Sequence, residues 1–250
     1  MPDIQKINRV DISNVERVNR VAGSNIEQLD GQGFVTFAPA TYTFNSTDSS
    51  WAIPGGTNHM DITVIGGGGC GTARSYISWA GFGGGGAGAS QATENTGGRI
   101  AVSSLNVNAL NITVGAGGTS QNTGGTAGLS SVAAGGITTI QANGGAQKDQ
   151  GNTYHHAGVS AGGTGSGGNT NTTGGTGGDA QEYPNTGRNG NNGACGGGAA
   201  GGAAGSGGNG NEPGGAGGGG SHGHGGTSNF GTGADGRVII NTRSASTGNT

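Results

Sequence analysis

Two histidine pairs are the residues of this sequence best suited to bind a metal ion. His155 and His156 are adjacent, and one glycine separates His222 from His224. Imidazole is a common zinc ligand, but a zinc site needs a third protein ligand and commonly a fourth. Neither pair has a third ligand clustered with it in the sequence. We therefore expect surface histidines and no cofactor; the alternative is that three copies of one histidine meet on the axis of a trimer.

Glycine-rich motifs that bind phosphate or calcium occur here only as weak matches. A P-loop needs Gly-Lys followed by Ser or Thr, and neither Lys6 nor Lys148 stands in that context. Residues 174–179 match a calcium-binding nonapeptide once, with Gln181 where an apolar residue belongs, and such sites need stacked copies. The sequence contains neither HExxH nor a recognisable Ser/His/Asp arrangement. We predict that the protein is not an enzyme.

The composition excludes several classes of protein. Glycine supplies 64 of the 250 residues, and only 5 prolines accompany it, which excludes collagen. The ten basic residues form no run and the net charge is −3, so we expect no nucleic-acid partner. No apolar run is long enough for a membrane span, and we expect no membrane insertion. The N-terminus lacks an apolar signal-peptide core. Without a CxxC motif, Cys70 and Cys195 are expected to be thiols.

Residues 1–31 contain an eleven-residue repeat, in which IQKINRVDISN is followed by VERVNRVAGSN and IEQLDGQ. This period fits a helix in a right-handed supercoil. The β-branched residues and recurring asparagines instead favour short extended pieces separated by turns, which is the alternative that we prefer. Two and a half repeats are too few to enclose a core. We therefore predict that this segment anchors or oligomerises the protein. A solvated tail is the other interpretation.

The longest glycine tract has a period of three. From Gly187 to Gly226 every third residue is glycine, except Ala199 and Asn211. A left-handed extended helix has three residues per turn, so glycine on its faces lets neighbouring backbones approach and bond. We predict packed polyglycine helices over residues 144–232, joined by turns at 154–156, 169–173, 183–185 and 211–213. The alternative is a flexible linker.

Short strands are predicted on both sides of the glycine tracts. Alternating apolar and polar residues place them at 33–37, 42–45, 61–65, 99–102, 110–114, 137–140 and 237–240. The expected fold is mostly β, with short β-strands clasping a glycine-rich domain of packed polyglycine-II helices and few or no α-helices. The predicted organisation is a repeat segment at 1–31, a glycine-rich β/polyglycine domain at 32–241 and a C-terminal tail at 242–250.

The order of the motifs resembles a known family. TFN, SSWAIPGG and MDITVIGGGGCG are followed by LNITVGAGG, GGITTIQANGGA and GADGRVII, across residues 40–241. This order is similar to the glycine-rich domain of tail fibres and other virion structural proteins of tailed phages. The segment IQKINRVDISNVERVNRV is similar to the KVNGV-type repeats of fibre and capsid-associated proteins in phages of cyanobacteria, with Arg9 and Arg20 where glycine is common. The polyglycine tract is also similar to adhesins that tip some long tail fibres.

The resemblance implies a virion structural protein that is made in the host cytoplasm. It implies a short homotrimeric tail fibre, joined to other virion proteins by its N-terminal segment, whose distal domain contacts a host-surface glycan or protein. A capsid- or neck-associated fibre without receptor binding is the alternative, and an ice-binding polyglycine bundle is a distant one. Turn loops bind the host surface in such adhesins, and loops on a scaffold commonly carry binding. The candidate receptor-contact residues are Tyr154, His155, His156, Tyr183, Asn185 and Glu212.

Overall fold

The structure is a computed structural model. It describes residues 37–71, 85–93, 98–119, 125–147, 160–177, 210, 214 and 231–244, together with six dipeptide strands before residue 37. The predictions for residues outside these ranges, among them the strand at 34–36, lie outside the described residues.

Each eleven-residue repeat at the N-terminus contains one small β-hairpin. Its strands are β1 (Lys6–Ile7) with β2 (Val10–Asp11), β3 (Arg17–Val18) with β4 (Val21–Ala22), and β5 (Gln28–Leu29) with β6 (Gln32–Gly33). All three pairs are antiparallel. The first strands begin at residues 6, 17 and 28, so the hairpins repeat with the period of the sequence. The extended alternative is therefore confirmed and the helical one is wrong.

The remaining strands follow residue 39. In chain order they are β7 (Ala40–Phe44), β8 (Asp48–Ala52), β9 (His59–Ile65), β10 (Ala89–Ala92), β11 (Ile100–Ala101), β12 (Ala109–Thr113), β13 (Gly125–Thr126), β14 (Ser130–Ala133), β15 (Ile140–Ala142), β16 (Ala146–Gln147), β17 (Gly165–Ser166), β18 (Thr170–Thr172) and β19 (Arg237–Arg243). Among the described residues, a short 3₁₀ helix spans Val102–Ser104. The prediction of a mostly β fold is confirmed.

Most of these strands form two antiparallel sheets that pack face to face. Sheet 1 has the order β18-β10-β9-β19-β7, with β11 also paired to β9, and sheet 2 has the order β17-β15-β14-β12-β8. The hairpins β7–β8 and β17–β18 pass from one sheet to the other, so each closes one side of the sandwich. Strand β13 pairs with β16 separately.

The core of the sandwich consists of aliphatic side chains from alternate positions of both sheets. In β12 and β19 every second residue is buried, as expected for strands with one face on a core. The buried cluster contains Met60, Ile62, Val64, Ala92, Leu110, Ile112, Val132, Ile140, Ala142, Val238 and Ile240. Phe44 and Trp51 pack against this cluster at the side closed by the β7–β8 hairpin, with ring centroids 5.5 Å apart.

Two local predictions differ from the structure. The turn predicted at 169–173 is wrong, because Thr170–Thr172 form β18 and pair with β10. The side chain of Asn171 there accepts a hydrogen bond of 2.6 Å from the buried Ser90 hydroxyl, which ties the strand to sheet 1. The strand predicted at 137–140 begins only at Ile140, because Gly136 has a φ of 90° and belongs to the turn before β15.

Candidate functional site

In the part of the chain that the structure describes, eight glycine-rich segments extend from one end of the sandwich, each as the continuation of a strand. The segments that continue the strands of sheet 1 form what we call layer 1, which consists of residues 66–71, 85–88, 173–177 and 231–236. Those that continue sheet 2 are layer 2, at residues 114–119, 125–129, 143–147 and 160–164. The segments alternately leave the sandwich and return to it. Together they form what we call the glycine bundle.

Backbone hydrogen bonds join the segments with a period of three residues. Within layer 1, the N–H groups of Gly66 and Gly69 donate to the carbonyls of Gly88 and Gly85, at 3.1 and 2.9 Å. Three further pairs of N–H groups, each three residues apart, donate in the same way to one neighbouring segment per pair. The N–H groups of residues 68 and 71 donate to the carbonyls of 234 and 231, those of 143 and 146 to the carbonyls of 164 and 161, and those of 174 and 177 to the carbonyls of 163 and 160. This is the spacing of a chain with three residues per turn. The polyglycine-II assignment stays a prediction, which this period supports.

The two layers are also joined to each other by backbone hydrogen bonds. Gly88 and Gly85 donate to the carbonyls of Asn143 and Ala146, at 3.0 and 2.9 Å. Five more N–H groups donate from one layer to a carbonyl of the other: residue 145 to 67, 67 to 128, 118 to 68, 233 to 118 and 236 to 115. Segment 66–71 therefore bonds to neighbours on several sides. A buried backbone must have such partners, and here they replace a side-chain core.

Glycine is required in the bundle because the backbones are in direct contact. A Cβ atom at Gly145 would overlap the carbonyl oxygen of Gly85, and one at Gly67 would overlap the carbonyl oxygen of Ala116. A Cβ at Gly163 would overlap the carbonyl oxygen of Asn143. In each case the obstacle is backbone, which has no rotamer by which to move aside. The glycine content of these segments thus follows from how closely they approach one another.

The exposed side chains of layer 2 stand three positions apart within the segments. They belong to Ala116 and Thr119, Thr126 and Leu129, Asn143 and Ala146, and Ala161 and Thr164, of which only Ala146 is half-buried. One face of each of these segments thus points away from the other layer, whereas Ala127 and Ser160 of the same layer are buried. The same spacing recurs in layer 1 at Thr173 and Thr176, which are both exposed.

The outer side of layer 1 is covered by the chain itself. Gly214 donates to the carbonyl of Asp235 and accepts from Ala87, at 2.8 and 3.1 Å, and Gly210 donates to Thr232. Gly214 has a φ of 69°, and a Cβ there would approach the Ile65 side chain. Under this contact lies a small buried cluster of Ile65, Ala87 and Ala89. Cys70 is a buried thiol of the same layer.

The opposite end of the sandwich contains a buried ionic group. Arg99 donates through Nε to Asp61 Oδ1 at 3.0 Å, and Arg243 lies 3.5 Å from Asp61 Oδ2. The side chains of Asp61 and Arg99 are less than a tenth exposed. The described chain enters the sandwich at Phe37 and leaves it at Ser244, both at this end, because Ala40 pairs with Thr242. Entry and exit are therefore remote from the glycine bundle.

The six candidate receptor-contact residues lie outside the described residues. The chain leaves layer 2 at Gln147 and returns at Ser160, and Tyr154, His155 and His156 belong to that interval. Tyr183, Asn185 and Glu212 belong to the intervals between Gly177 and Gly231.

The two described neighbours of Glu212 distinguish it from the other candidates. Gly210 and Gly214 both bond to segment 231–236, and Gly214 lies beside Ile65, where the bundle joins the sandwich. Of the described residues that flank Glu212, Gly214 is thus held at the sandwich end of the bundle. The intervals that carry Tyr154 and Tyr183 instead start from Gln147 and Gly177, the described ends of segments that run away from the sandwich.

The exposed side chains of layer 2 were not among the candidates from the sequence. Their signal was nevertheless present, because non-glycine residues three positions apart recur in 116–119, 126–129 and 161–164. In the part of the chain that the structure describes, no three His, Cys, Asp or Glu residues are grouped closely enough to hold a metal ion. None of its described helices is long and apolar enough to cross a membrane.

Comparison with known proteins identifies one family. A family model described as a glycine-rich domain matches residues 43–243, which span β7 to β19 and hence both the sandwich and the glycine bundle. A search of curated proteins finds no match to the chain.

Proposed function

The chain belongs to the family of glycine-rich domains, and we propose that it is a structural protein of a phage virion. Within that class we propose a short tail fibre, whose N-terminal segment joins other virion proteins and whose glycine bundle faces the host. The motif order from TFN to GADGRVII supports this proposal through its resemblance to tail-fibre domains. Three copies of the chain form the fibre, as in the proteins that it resembles.

The observation that carries the proposal is the polarity of the domain. The N-terminal hairpins precede Phe37, and this residue enters the sandwich at the end opposite the glycine bundle. A fibre needs such a polarity, with attachment at one end and contact with the host at the other. The bundle is stiffened by backbone hydrogen bonds in several directions, which suits a scaffold that presents loops.

The proposed receptor contacts are aromatic and polar, with little charge. Tyr154, His155, His156, Tyr183 and Asn185 combine rings with hydrogen-bonding groups, which suits stacking on sugars or on neutral protein loops. The net charge of −3 on the chain argues against electrostatic steering. We therefore propose a neutral or carbohydrate-rich target. Glu212 is a weaker member of the set, because its neighbours are held at the sandwich end.

Host adsorption tests the receptor contacts. Virions that carry Tyr154→Ala, His155→Ala and Tyr183→Ala together should adsorb at least about tenfold more slowly, since aromatic anchors commonly dominate binding. The matched control carries Thr43→Ala, Thr170→Ala and Thr176→Ala, three exposed positions on the sandwich and in layer 1. The control virions should adsorb normally. Both variants must first be shown to fold and to enter virions.

Deletion of residues 1–31 tests the attachment separately. The deleted chain should keep its fold but fail to enter virions, because it lacks the hairpin repeats. Normal incorporation would contradict the anchoring role. Normal adsorption by the triple variant, together with failed incorporation of the deleted chain, would leave a capsid- or neck-associated fibre without receptor binding.

A further inference from the structure

One broad face of the molecule is flat and free of charge, with side chains that are mostly half-buried in the sheet and mostly exposed in the bundle. It consists of the outward residues of sheet 2 and of layer 2, and we call it the layer 2 face. In the sheet it contains Ala109, Asn111, Thr113, Ser131, Ala133 and Gln141. In the bundle it continues with Ala116, Thr119, Thr126, Leu129, Asn143, Ala146, Ala161 and Thr164. None of these side chains is charged or aromatic.

The residues of this face are aligned across the strands. Thr113 pairs with Ser131, Ser131 with Gln141 and Gln141 with Ser166, which forms one row over four strands. Asn143 in the neighbouring segment donates a hydrogen bond of 3.0 Å to the Thr164 hydroxyl. The side chains are short, so the surface is nearly plane. A plane surface can be matched by an identical one.

An exposed apolar anchor lies within the face. Leu129 is 39% exposed and continues the outward row of β14, at the junction of sheet and bundle. The other exposed large apolar side chain of the described residues is Val107, which lies in the loop before β12 and beside the β14–β15 turn at Gly135. Both therefore belong to the sheet 2 side. Apolar anchors surrounded by uncharged residues are typical of the centre of a protein interface.

The two layers differ in what covers them. Gly214 lies against the outer side of layer 1 and bonds to Ala87 and Asp235. The bundle part of the layer 2 face is exposed, except at the half-buried Ala146. Four strands at a spacing of about 4.8 Å, each extended by a glycine segment, give it an area of about 650 Å². This is close to the roughly 800 Å² that each partner contributes to a standard interface.

We propose that the layer 2 face binds a second copy of this chain. The chain has a net charge of −3, so a pairing of two copies through most other surfaces would bring like charges together. The layer 2 face has no charged side chains, so a pairing through it avoids this repulsion. Its flatness and its size fit an interface between identical partners. A face that binds an identical face pairs two copies, so this interface is separate from the contacts that form the trimer proposed above, and it does not depend on the virion assignment.

Site-specific cross-linking tests this interface in the full-length protein. Leu129→Cys should form a disulfide-linked dimer under mild oxidation, because the central residues of two facing copies lie close together. Thr170→Cys, at an exposed position of β18 in sheet 1, is the matched control and should form about tenfold less cross-linked dimer. The wild-type chain measures the background from Cys70 and Cys195.

Charge introduced on the face gives a second readout. In the Leu129→Cys background, Ser131→Glu should reduce the cross-linked yield about fivefold or more, because two like charges then meet between the copies. Mixing chains that carry Ser131→Glu with chains that carry Ser131→Lys should restore the yield. Thr43→Glu on sheet 1 should leave it unchanged.

Three results would overturn the proposal, provided that circular dichroism shows folded variants. One is a monomeric wild-type chain by light scattering at high concentration, which would leave the face to another protein. Another is equal cross-linking at positions 129 and 170. The third is a Ser131→Glu chain that cross-links as well as its parent. The host-adsorption and virion-incorporation experiments test the proposed function, and their outcomes do not affect the test of the interface between two copies.

Discussion

Along β9 the buried residues have large side chains, whereas in the glycine segment that follows they have almost none. Met60, Ile62 and Val64 are fully buried among aliphatic neighbours from both sheets. In residues 66–69 the chain is equally buried, but its neighbours are the carbonyls and N–H groups of other segments. The sandwich is stabilised by the hydrophobic effect, and the bundle mainly by hydrogen bonds and close backbone packing.

This difference determines how each region tolerates change. A side-chain core loses contacts when a side chain is shortened, and the neighbours can relax partly into the space. In the glycine bundle the buried neighbours are backbone atoms in direct contact. An added Cβ atom therefore has no room unless two segments separate. The two regions should therefore respond to opposite kinds of substitution.

The largest effect is expected for Gly145→Ala. The added Cβ would overlap the carbonyl oxygen of Gly85, so the two layers must separate and several hydrogen bonds must break. We expect a loss of at least about 4 kcal/mol in the free energy of unfolding, because ordinary overpacking already costs about 1–3 kcal/mol. The measurement is denaturant unfolding. The control is Gly55→Ala, where a Cβ would meet nothing within 4 Å. An equal response at the two sites would mean that the bundle is not packed in this way.

A smaller effect is expected for Ile112→Ala in the sandwich. Ile112 is fully buried in the aliphatic cluster, and its truncation leaves a cavity. We expect a loss of about 3 kcal/mol, within the range for such substitutions. Val107→Ala, at a 43% exposed position, should change the stability by less than about 0.5 kcal/mol. If Ile112→Ala is as mild as this control, the sandwich does not depend on its side-chain core.

The smallest effect is expected for Ala161→Val on the outward face of layer 2. Ala161 is exposed, and its side chain points away from the close contacts that its own carbonyl makes with Gly85. We expect a change within about 0.5 kcal/mol by thermal unfolding. A large destabilisation would show that the third position of these segments is not a free face.

The sequence predicted the strands with several alternating aliphatic residues, and it missed β10 and β14, which have few. Strands β9, β12 and β19 contain alternating aliphatic residues and were expected. Strand β10 consists of Ala89, Ser90, Gln91 and Ala92, and it is buried because Gly165 and Gly168 of the β17–β18 hairpin lie directly against its backbone. No local sequence pattern predicts this burial, because it depends on small residues that are close in space but far away in the sequence.

The candidate site was predictable only in part for a similar reason. The glycine tracts and the positions between them could be read from the sequence, and so could the eleven-residue period that the hairpins follow. The layers could not, because each segment bonds to partners that are remote in the chain. The position of Gly214 depends on one such contact, with Ala87, Gly66 and Ile65.

Hydrogen exchange of the backbone amides tests the central claim most directly. The claim is that the glycine bundle is a hydrogen-bonded core and not a flexible attachment to the sandwich. Amides of Gly66, Gly69, Gly85 and Gly145 donate to carbonyls of neighbouring segments. They should exchange as slowly as those of β9 and β19, within about tenfold, because core amides open only with large-scale unfolding. Exchange of the glycine amides at the rate of an unstructured chain, with β9 and β19 still protected, would contradict the account.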